Sequence, residues 1–397
     1  MTQPEPTAPR SLTIRDIAKA CGVGKTTVAA AIYGTGRVSE GTRGEILRVA
    51  AELGYDPAQQ TAARRLAQRK SKQPVLNHTL GLFSSLHLTA GTYTGEPYRG
   101  MAEVCTRERF AILLTYLPPQ AFGHDPTYQL PSAFARGDAD GAILVGFQGP
   151  LIGILRALPG FGDRPLVSLF QPAEGASSVT SDDRQGTRDA TRQLLAEGHR
   201  HFLHLYAPAE SPIPRMRVAG IHDALRAAGL APTAHLAGLD LPSQLLNPLT
   251  APHVLPREGA PAQDITLGAD ILLPYLRAHP EITAIFCEND PMALHLWHLL
   301  HNAGLRVPDD ISLVGFDDTD GMLDTLGINH LTTIRLPLYE MGRTATELLI
   351  QRITGHQPTD EQRILPVDFL ARRSTAPPGS ARAAGPNAKG DRIAPVS

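Results

Sequence analysis

From Leu80 onward this sequence alternates short apolar runs with amphipathic stretches, and that alternation constrains the fold more than any other feature. The runs are Thr79 to Phe83, Phe110 to Leu114, Gly141 to Val145, Pro165 to Leu169, His201 to Leu205, Thr283 to Phe286 and Ile311 to Gly315. Short apolar segments of this kind suit strands buried within a parallel sheet. Between them the apolar spacing predicts helices such as Gly186 to Ala196 and Met292 to Ala303. Strand and helix in alternation imply an α/β architecture, whose ligands bind beyond the carboxyl ends of the strands. The length of this part calls for two such units at ~150 residues each. Residues 231–263, Pro-rich and weakly patterned, are expected as a surface excursion, and Ser374 to Ser397 as a disordered tail.

Residues 12–55 have a different texture and read as three short helices. Thr13 with Asp16 forms a capping-box pattern, in which hydroxyl and carboxylate satisfy orphan amides, and Ile14, Ile17, Ala18 and Cys21 follow at helical spacing. Cys21-Gly22-Val23-Gly24 breaks this helix, and Lys25 to Tyr33 resumes with Val28, Ala31 and Ile32 on one face. Ser39 is an N-cap for a third helix, whose stripe of Ile46, Val49, Ala50 and Leu53 ends at Gly54. Beyond Asp56-Pro57, Ala58 to Lys72 holds one large apolar residue, Leu66, so it is a linker that needs a partner to stay helical.

Charge divides along the same line. Residues 1–72 carry twelve Lys and Arg against six acids, while the remainder carries 25 against 33. A basic segment on an acidic body is the electrostatic footprint of a tethered nucleic-acid reader. The opening MTQPEPTAPR lacks the apolar core of an export signal, and no apolar stretch reaches the ~18 residues of a membrane span. A cytoplasmic protein with no membrane partner is the expectation. Cys21, Cys105 and Cys287 form no C-x-x-C pair, which argues against a disulfide framework or a structural zinc site.

The motifs are ordered. Thr13 to Ala18, Gly22-Val23, Thr27-Val28, Gly36-Arg37-Val38-Ser39 and Leu53-Gly54-Tyr55-Asp56-Pro57 come first. Asp140 to Leu144, Gly198-His199-Arg200, Asn289 to Leu294, Val307 to Asp318 and Leu331-Thr332-Thr333-Ile334 follow. Over nearly the full chain these resemble the signatures of the lac repressor (LacI/GalR-type) family of transcriptional regulators. The resemblance implies an N-terminal all-α helix-turn-helix headpiece and a two-lobed α/β core like periplasmic binding proteins, with three passages of the chain between lobes. It places an arm at 1–11, the headpiece at 12–58, a hinge at 59–76 and the core at 77–373, with a disordered tail at 374–397. The first lobe takes 77–179 and 335–360, and the second takes 180–334 and 361–373.

The resemblance also implies the site residues. In a helix-turn-helix the second helix enters the major groove, so Lys25 and Thr26 at its start are placed to meet base edges. Tyr33 and Arg37 join this set, while Thr13, Thr27, Ser39 and Tyr55 match positions that touch the DNA backbone and serve equally as caps or core hydroxyls. Gly24 and Ala29 stand where the family usually has Ser, and Ala30 where it usually has a guanine-reading Arg, so the operator differs from that of better-known relatives. In the hinge, Arg64 and Arg65 match phosphate contacts and Leu66 a minor-groove wedge, two residues farther from Pro57 than usual. In the core, Arg217, Asn289 and Asp317 match polar contacts to a polyhydroxylated ligand, with Arg217 alternatively paired to a carboxylate. Ser85, Tyr93, Phe147 and Phe170 are further pocket candidates; Phe170 and Leu336 replace residues that are often polar.

Enzyme readings fare worse. Gly24-Lys25-Thr26 suggests a P-loop, yet Lys19 stands where its first Gly belongs and the preceding pattern is helical. There is no G-x-S-x-G elbow and no H-E-x-x-H, and the histidines are scattered. The expectation is therefore a homodimeric, non-catalytic transcriptional regulator without cofactor or metal. It represses carbohydrate uptake or catabolism genes on double-stranded operator DNA, under allosteric control by a sugar-like effector. The competing reading is a cytoplasmic solute-binding receptor of the same core fold that does not recognise specific DNA.

Overall fold

The computed structural model describes residues 13–33, 36–53, 55, 76–84, 91–117, 130–146, 150–158, 160–206, 213–240, 269–319, 321–356 and 359–379. It divides into two compact units, Met1–His78 and Thr79–Ser397.

In the first unit, helices α1 (Ile14–Cys21), α2 (Lys25–Tyr33) and α3 (Glu40–Glu52) enclose a small core of Ile17, Val28, Ala31, Ile46, Ala50 and Tyr55. The Asp16 carboxylate accepts the Thr13 amide at 2.8 Å, the half of the capping box that ties the chain to its first turn. The capping box is present as expected, and the Thr13 hydroxyl also donates to the same carboxylate at 2.7 Å. Gly22 ends α1 at φ 65°, a left-handed conformation that any Cβ would strain, and the Val23 amide closes the turn onto the Ala18 carbonyl. Ser39 caps α3 by accepting the Thr42 amide, and Arg43 donates to the Ala31 carbonyl, fixing α3 against α2.

In the second unit, a six-stranded sheet has the order β11-β5-β4-β3-β1-β2, built from β1 (Thr79–Ser84), β2 (Ala111–Tyr116), β3 (Gly141–Val145), β4 (Leu166–Leu169), β5 (Ser177–Ser181) and β11 (Gln362–Leu365). All its pairings are parallel. Helices α4 (Gly91–Glu108), α5 (Pro150–Ala157) and α10 (Leu338–Ile353) belong to this lobe, with α10 packed on β3, β4 and β5. A second parallel sheet has the order β7-β6-β8-β9, from β6 (Phe202–Tyr206), β7 (Leu236–Asp240), β8 (Ala284–Phe286) and β9 (Ser312–Val314). Its lobe holds α6 (Asp183–Ala196), α7 (Ile213–Ala227), α8 (Ala269–Ala278) and α9 (Asp290–Asn302). Near the crossings, β10 (Thr333–Arg335) pairs antiparallel with β12 (Asp368–Leu370).

The chain crosses between the sheets three times: from β5 to α6, from β10 to α10, and from β11 to β12. One apolar cluster runs through the crossings, joining Leu82, Val167 and Phe170 of the first lobe to Phe286, Phe316 and Ile334 of the second. Three expectations need correction. Residues 361–373 were assigned to the second lobe, but β11 pairs with β5, so the crossing comes after Leu365. Within 231–263, expected as an irregular excursion, Leu236–Asp240 forms an edge strand on β6. The tail expected from Ser374 begins later: Ser374 is fully buried, with its hydroxyl donating to the Leu313 carbonyl and accepting the Thr332 amide, both at 2.7 Å. The backbone N–H and C=O of Leu313 in the short strand β9 are satisfied there by Ser374.

Candidate functional site

The two units each hold a candidate site. In the first, the turn between α1 and α2 leaves Lys25 and Thr26 exposed at the start of α2, while Val28 and Ala31 on the opposite face are buried. This division follows from helical spacing, and it leaves the two polar side chains free for a polyanionic partner. Thr27 is half-buried, and Thr13, Arg37 and Ser39 are exposed, with Ser39 engaged as a cap. Of the two readings of Tyr55, the core one is present: its ring is 6% exposed and packs into the three-helix core. The side chain of Tyr33 and residues Arg64, Arg65 and Leu66 lie outside the described residues, as does the expected hinge up to residue 75.

The second site forms where the carboxyl ends of β8 and β9 meet α6 and α7. Arg217, on α7, is buried; its Nε donates to Asp183 at 2.8 Å, and one terminal nitrogen, Nη1, donates to the Glu288 carbonyl. Its guanidinium lies 3.5 Å from the Phe316 ring centroid, a cation–π contact. Burial works against the charge of Arg217, but Asp183, Asp317 and Glu288 outweigh it and raise its pKa. Nη2 carries no hydrogen bond to the described residues. Of the two alternatives for this arginine, the pairing with a carboxylate is present.

Asp183 opens α6, where it accepts the Arg217 guanidinium on one oxygen and the Ser181 hydroxyl on the other. Sequence reasoning missed it, although the tandem Asp182-Asp183 ahead of a helix was a legible signal; Asp182 serves as the cap, accepting the Gln185 amide. Asn289 caps α9 through Oδ1, which accepts the Met292 amide at 2.9 Å, so its amide nitrogen is the end left to donate. Asp290 was also missed as a positioning residue. Fully buried, it accepts the Thr333 hydroxyl at 2.6 Å and the Thr319 amide at 2.9 Å, pinning the segment that carries Asp317.

Asp317 is 7% exposed with φ 100°, outside the range most side chains adopt, and its carboxylate accepts no hydrogen bond from the described residues. Burial pushes its pKa well above the usual carboxylate range; Arg217 opposes the rise, and Asp290, Asp183 and Glu288 add to it. Asp318 is engaged instead by Arg335 and Arg372, each at 2.7 Å. From the first lobe, Tyr93 stacks on Phe170 with ring centroids 5.1 Å apart. Burial raises the Tyr93 phenol, and Asp317 raises it further, which places this side chain in the electrostatic field of the second-lobe cluster. Phe170 has φ 76°, a conformation a bulky residue holds only when its surroundings enforce it. Leu336 is buried in the cluster at the crossings. His204, beneath the site on β6, is held down to about 3 by burial and by Arg217, so it is neutral at physiological pH. Ser85 and Phe147 lie outside the described residues.

Comparison with known proteins gives two family matches: residues 13–58 match the bacterial regulatory proteins of the lacI family, and residues 191–375 match the periplasmic binding protein-like domain. The HTH-type transcriptional repressor CytR of Escherichia coli (strain K12) is 25% identical over 365 residues, covering 91% of this chain and 96% of CytR. The HTH-type transcriptional regulator CelR of Thermobifida fusca is 28% identical over 375 residues, covering 92% and 98%. Among solved structures, the lac repressor dimer bound to operator and the anti-inducer ONPF superposes with a TM-score of 0.60 at 22% identity, over 92% of this chain and all of that one. A CelR–cellobiose complex gives 0.58 at 24%, over 91% and 99%. The likeness to these structures is one of fold.

Proposed function

We propose, for a chain that belongs to the lacI family of bacterial regulatory proteins, that occupation of the Arg217–Asp317 cleft by a sugar-like effector controls how its headpiece holds operator DNA. The chain is a sequence-specific DNA-binding transcriptional regulator. One observation supports the control: a helix-turn-helix with Lys25 and Thr26 exposed shares a chain with a cleft in which Arg217 Nη2 and the Asp317 carboxylate, on buried residues, have no hydrogen-bond partner among the described residues. Reading two half-sites takes two headpieces, so the working form is a homodimer on a pseudo-palindrome. The effector shifts operator affinity only by its preference between the lobe arrangements that bind DNA well and poorly. Repression of carbohydrate genes fits the relatives, one of which was solved with cellobiose. The chain acts in the compartment that holds the DNA, and the fold's chemistry is recognition, not bond breaking.

Selection of operators from random duplexes with the full chain tests this reading. A two-fold symmetric site should emerge, with affinity falling steeply as salt rises because Lys and Arg displace condensed counterions. No selected site, or affinity indifferent to salt, would leave only the receptor reading. On the selected operator, Lys25→Ala should cost about 1 to 3 kcal/mol and relax preference at one base pair. A uniform loss across all sequences, with the salt slope reduced by about one, would instead make Lys25 a phosphate contact.

A further inference from the structure

We propose that α2 reads thymine through its C5-methyl group, with the side-chain methyls of Ala29 and Ala30 as the reading surface. This deepens the DNA-binding reading above, on which it rests, by naming a base that each half-site must present.

The face that α2 turns outward is set by what the three-helix bundle buries. Val28 and Ala31 sit in the core, and Arg43 of α3 donates to the Ala31 carbonyl, which fixes the rotation of α2 about its axis. At roughly 100° per residue, the positions opposite these two are 26, 29 and 30, spaced i, i+3 and i+4 along one stripe. Thr26 is exposed on it, Ala29 and Ala30 are half-buried, and Lys25 stands exposed at its edge. Beyond Thr26, positions 29 and 30 therefore offer a groove methyl groups alone. The exposed cations Arg15 and Lys19 on α1 and Arg37 after α2 lie off this stripe. Contacts from such cations to phosphates position a protein and carry no sequence information. Sequence has to be read by Lys25, Thr26 and the two alanines.

An alanine side chain has no donor or acceptor, so it discriminates bases only by what it covers. When a pair of methyls closes over a base edge, the polar groups of that edge lose water without gaining a partner, which costs free energy. Guanine strands its O6 and N7 acceptors there, adenine its N7 and N6, and cytosine its N4 donor. Thymine alone sets an apolar group, the C5-methyl, on the major-groove edge, and burying it against the alanine methyls is favourable. The O4 beside that methyl suits the Thr26 hydroxyl, which can donate to it. The short side chains also let the backbone of α2 sit close to the groove floor, the distance at which methyls gain dispersion contact.

The test uses the full chain and the operator it selects, with the first changes made in the DNA. Replacing thymine by deoxyuridine removes the C5-methyl and nothing else. At one position of a half-site this exchange should weaken binding about fourfold, and roughly tenfold or more when made in both half-sites. At the same position cytosine should bind worse than thymine, and 5-methylcytosine should recover about threefold or more over cytosine. In Ala29→Arg or Ala30→Arg the ratio of thymine to deoxyuridine affinity should fall to about one there, and reselection should bring guanine, whose O6 and N7 accept from arginine. Each ratio is taken within one variant, so a change in headpiece stability cancels. If every thymine exchanges for deoxyuridine without loss, if cytosine and 5-methylcytosine bind equally, or if the ratio survives in both arginine variants, the proposal is overturned. The DNA-binding reading then stands, with Lys25 and Thr26 as the readers. Selection of no operator overturns the proposal and the DNA-binding reading together.

Discussion

Arg217→Ala should cost the second unit about 3 to 5 kcal/mol and abolish the effector response, because it removes the partner of a buried carboxylate and a ligand donor at once. Asp183 and Arg217 are 5% and 8% exposed at their side chains, and the truncation leaves the Asp183 carboxylate in the interior with only the Ser181 hydroxyl. The Phe316 face loses its cation as well. Loss of response alone would be ambiguous, since a destabilised lobe also binds poorly. The double variant Arg217→Met with Asp183→Leu separates the two effects, because exchanging both members of a buried pair for apolar groups of similar volume is often close to neutral. It should recover most of the stability, measured by denaturant unfolding, and none of the effector response, measured by operator release. Recovery of the response along with the stability would show that Arg217 supports the fold and does not meet the ligand.

Strands β1 to β4, β6, β8 and β9 were legible because each is a short apolar run, and Gly141–Val145, expected as a strand, is one. Strand β5, of sequence SSVTS, went unnoticed: its burial comes from lying between β4 and β11, and no apolar pattern announces it. Leu236–Asp240 was hidden for a similar reason, being an edge strand in a Pro-rich neighbourhood. Resemblance supplied Arg217, Asn289 and Asp317, and the first and last of these lie within electrostatic reach of each other. The residues that orient them, Asp183 and Asp290, are remote in sequence from their partners: Asp183 meets Arg217 across 34 positions, and Asp290 meets Thr333 across 43. Pairings of that span follow from the crossing of helices and strands, which no local pattern encodes. Tyr55 shows the converse: a tyrosine at the close of a basic bundle reads equally as a phosphate contact and as a core residue, and only packing places its ring in the core.

That crossing of helices can itself be broken at one atom. Gly220 lies one turn beyond Arg217 on α7, where a Cβ would come within 2.1 Å of the Arg184 carbonyl oxygen, 2.2 Å of the Thr187 hydroxyl and 2.9 Å of the Arg188 amide. Backbone atoms of α6 cannot swing aside as a side-chain terminus can, so any larger residue must push α7 away from α6. Between the helices, the Thr187 hydroxyl spans the Arg217 carbonyl at 2.8 Å and the Asp183 carbonyl at 3.0 Å, so retreat of α7 draws Arg217 from Asp183. Gly220→Ala should therefore destabilise by about 1 to 3 kcal/mol in spite of the ~1 kcal/mol that alanine gains over glycine inside a helix. Gly220→Val should cost more. Effector affinity should drop at least tenfold in both, although every ligand-facing side chain is intact. Gly153→Ala, in a helix where an added Cβ meets nothing within 4 Å, is the control and should be neutral or mildly stabilising. If Gly220→Ala matches the parent in stability and in effector titration, the packing of α6 on α7 does not set the geometry of Arg217, and the cleft must be positioned from the β8 and β9 side alone.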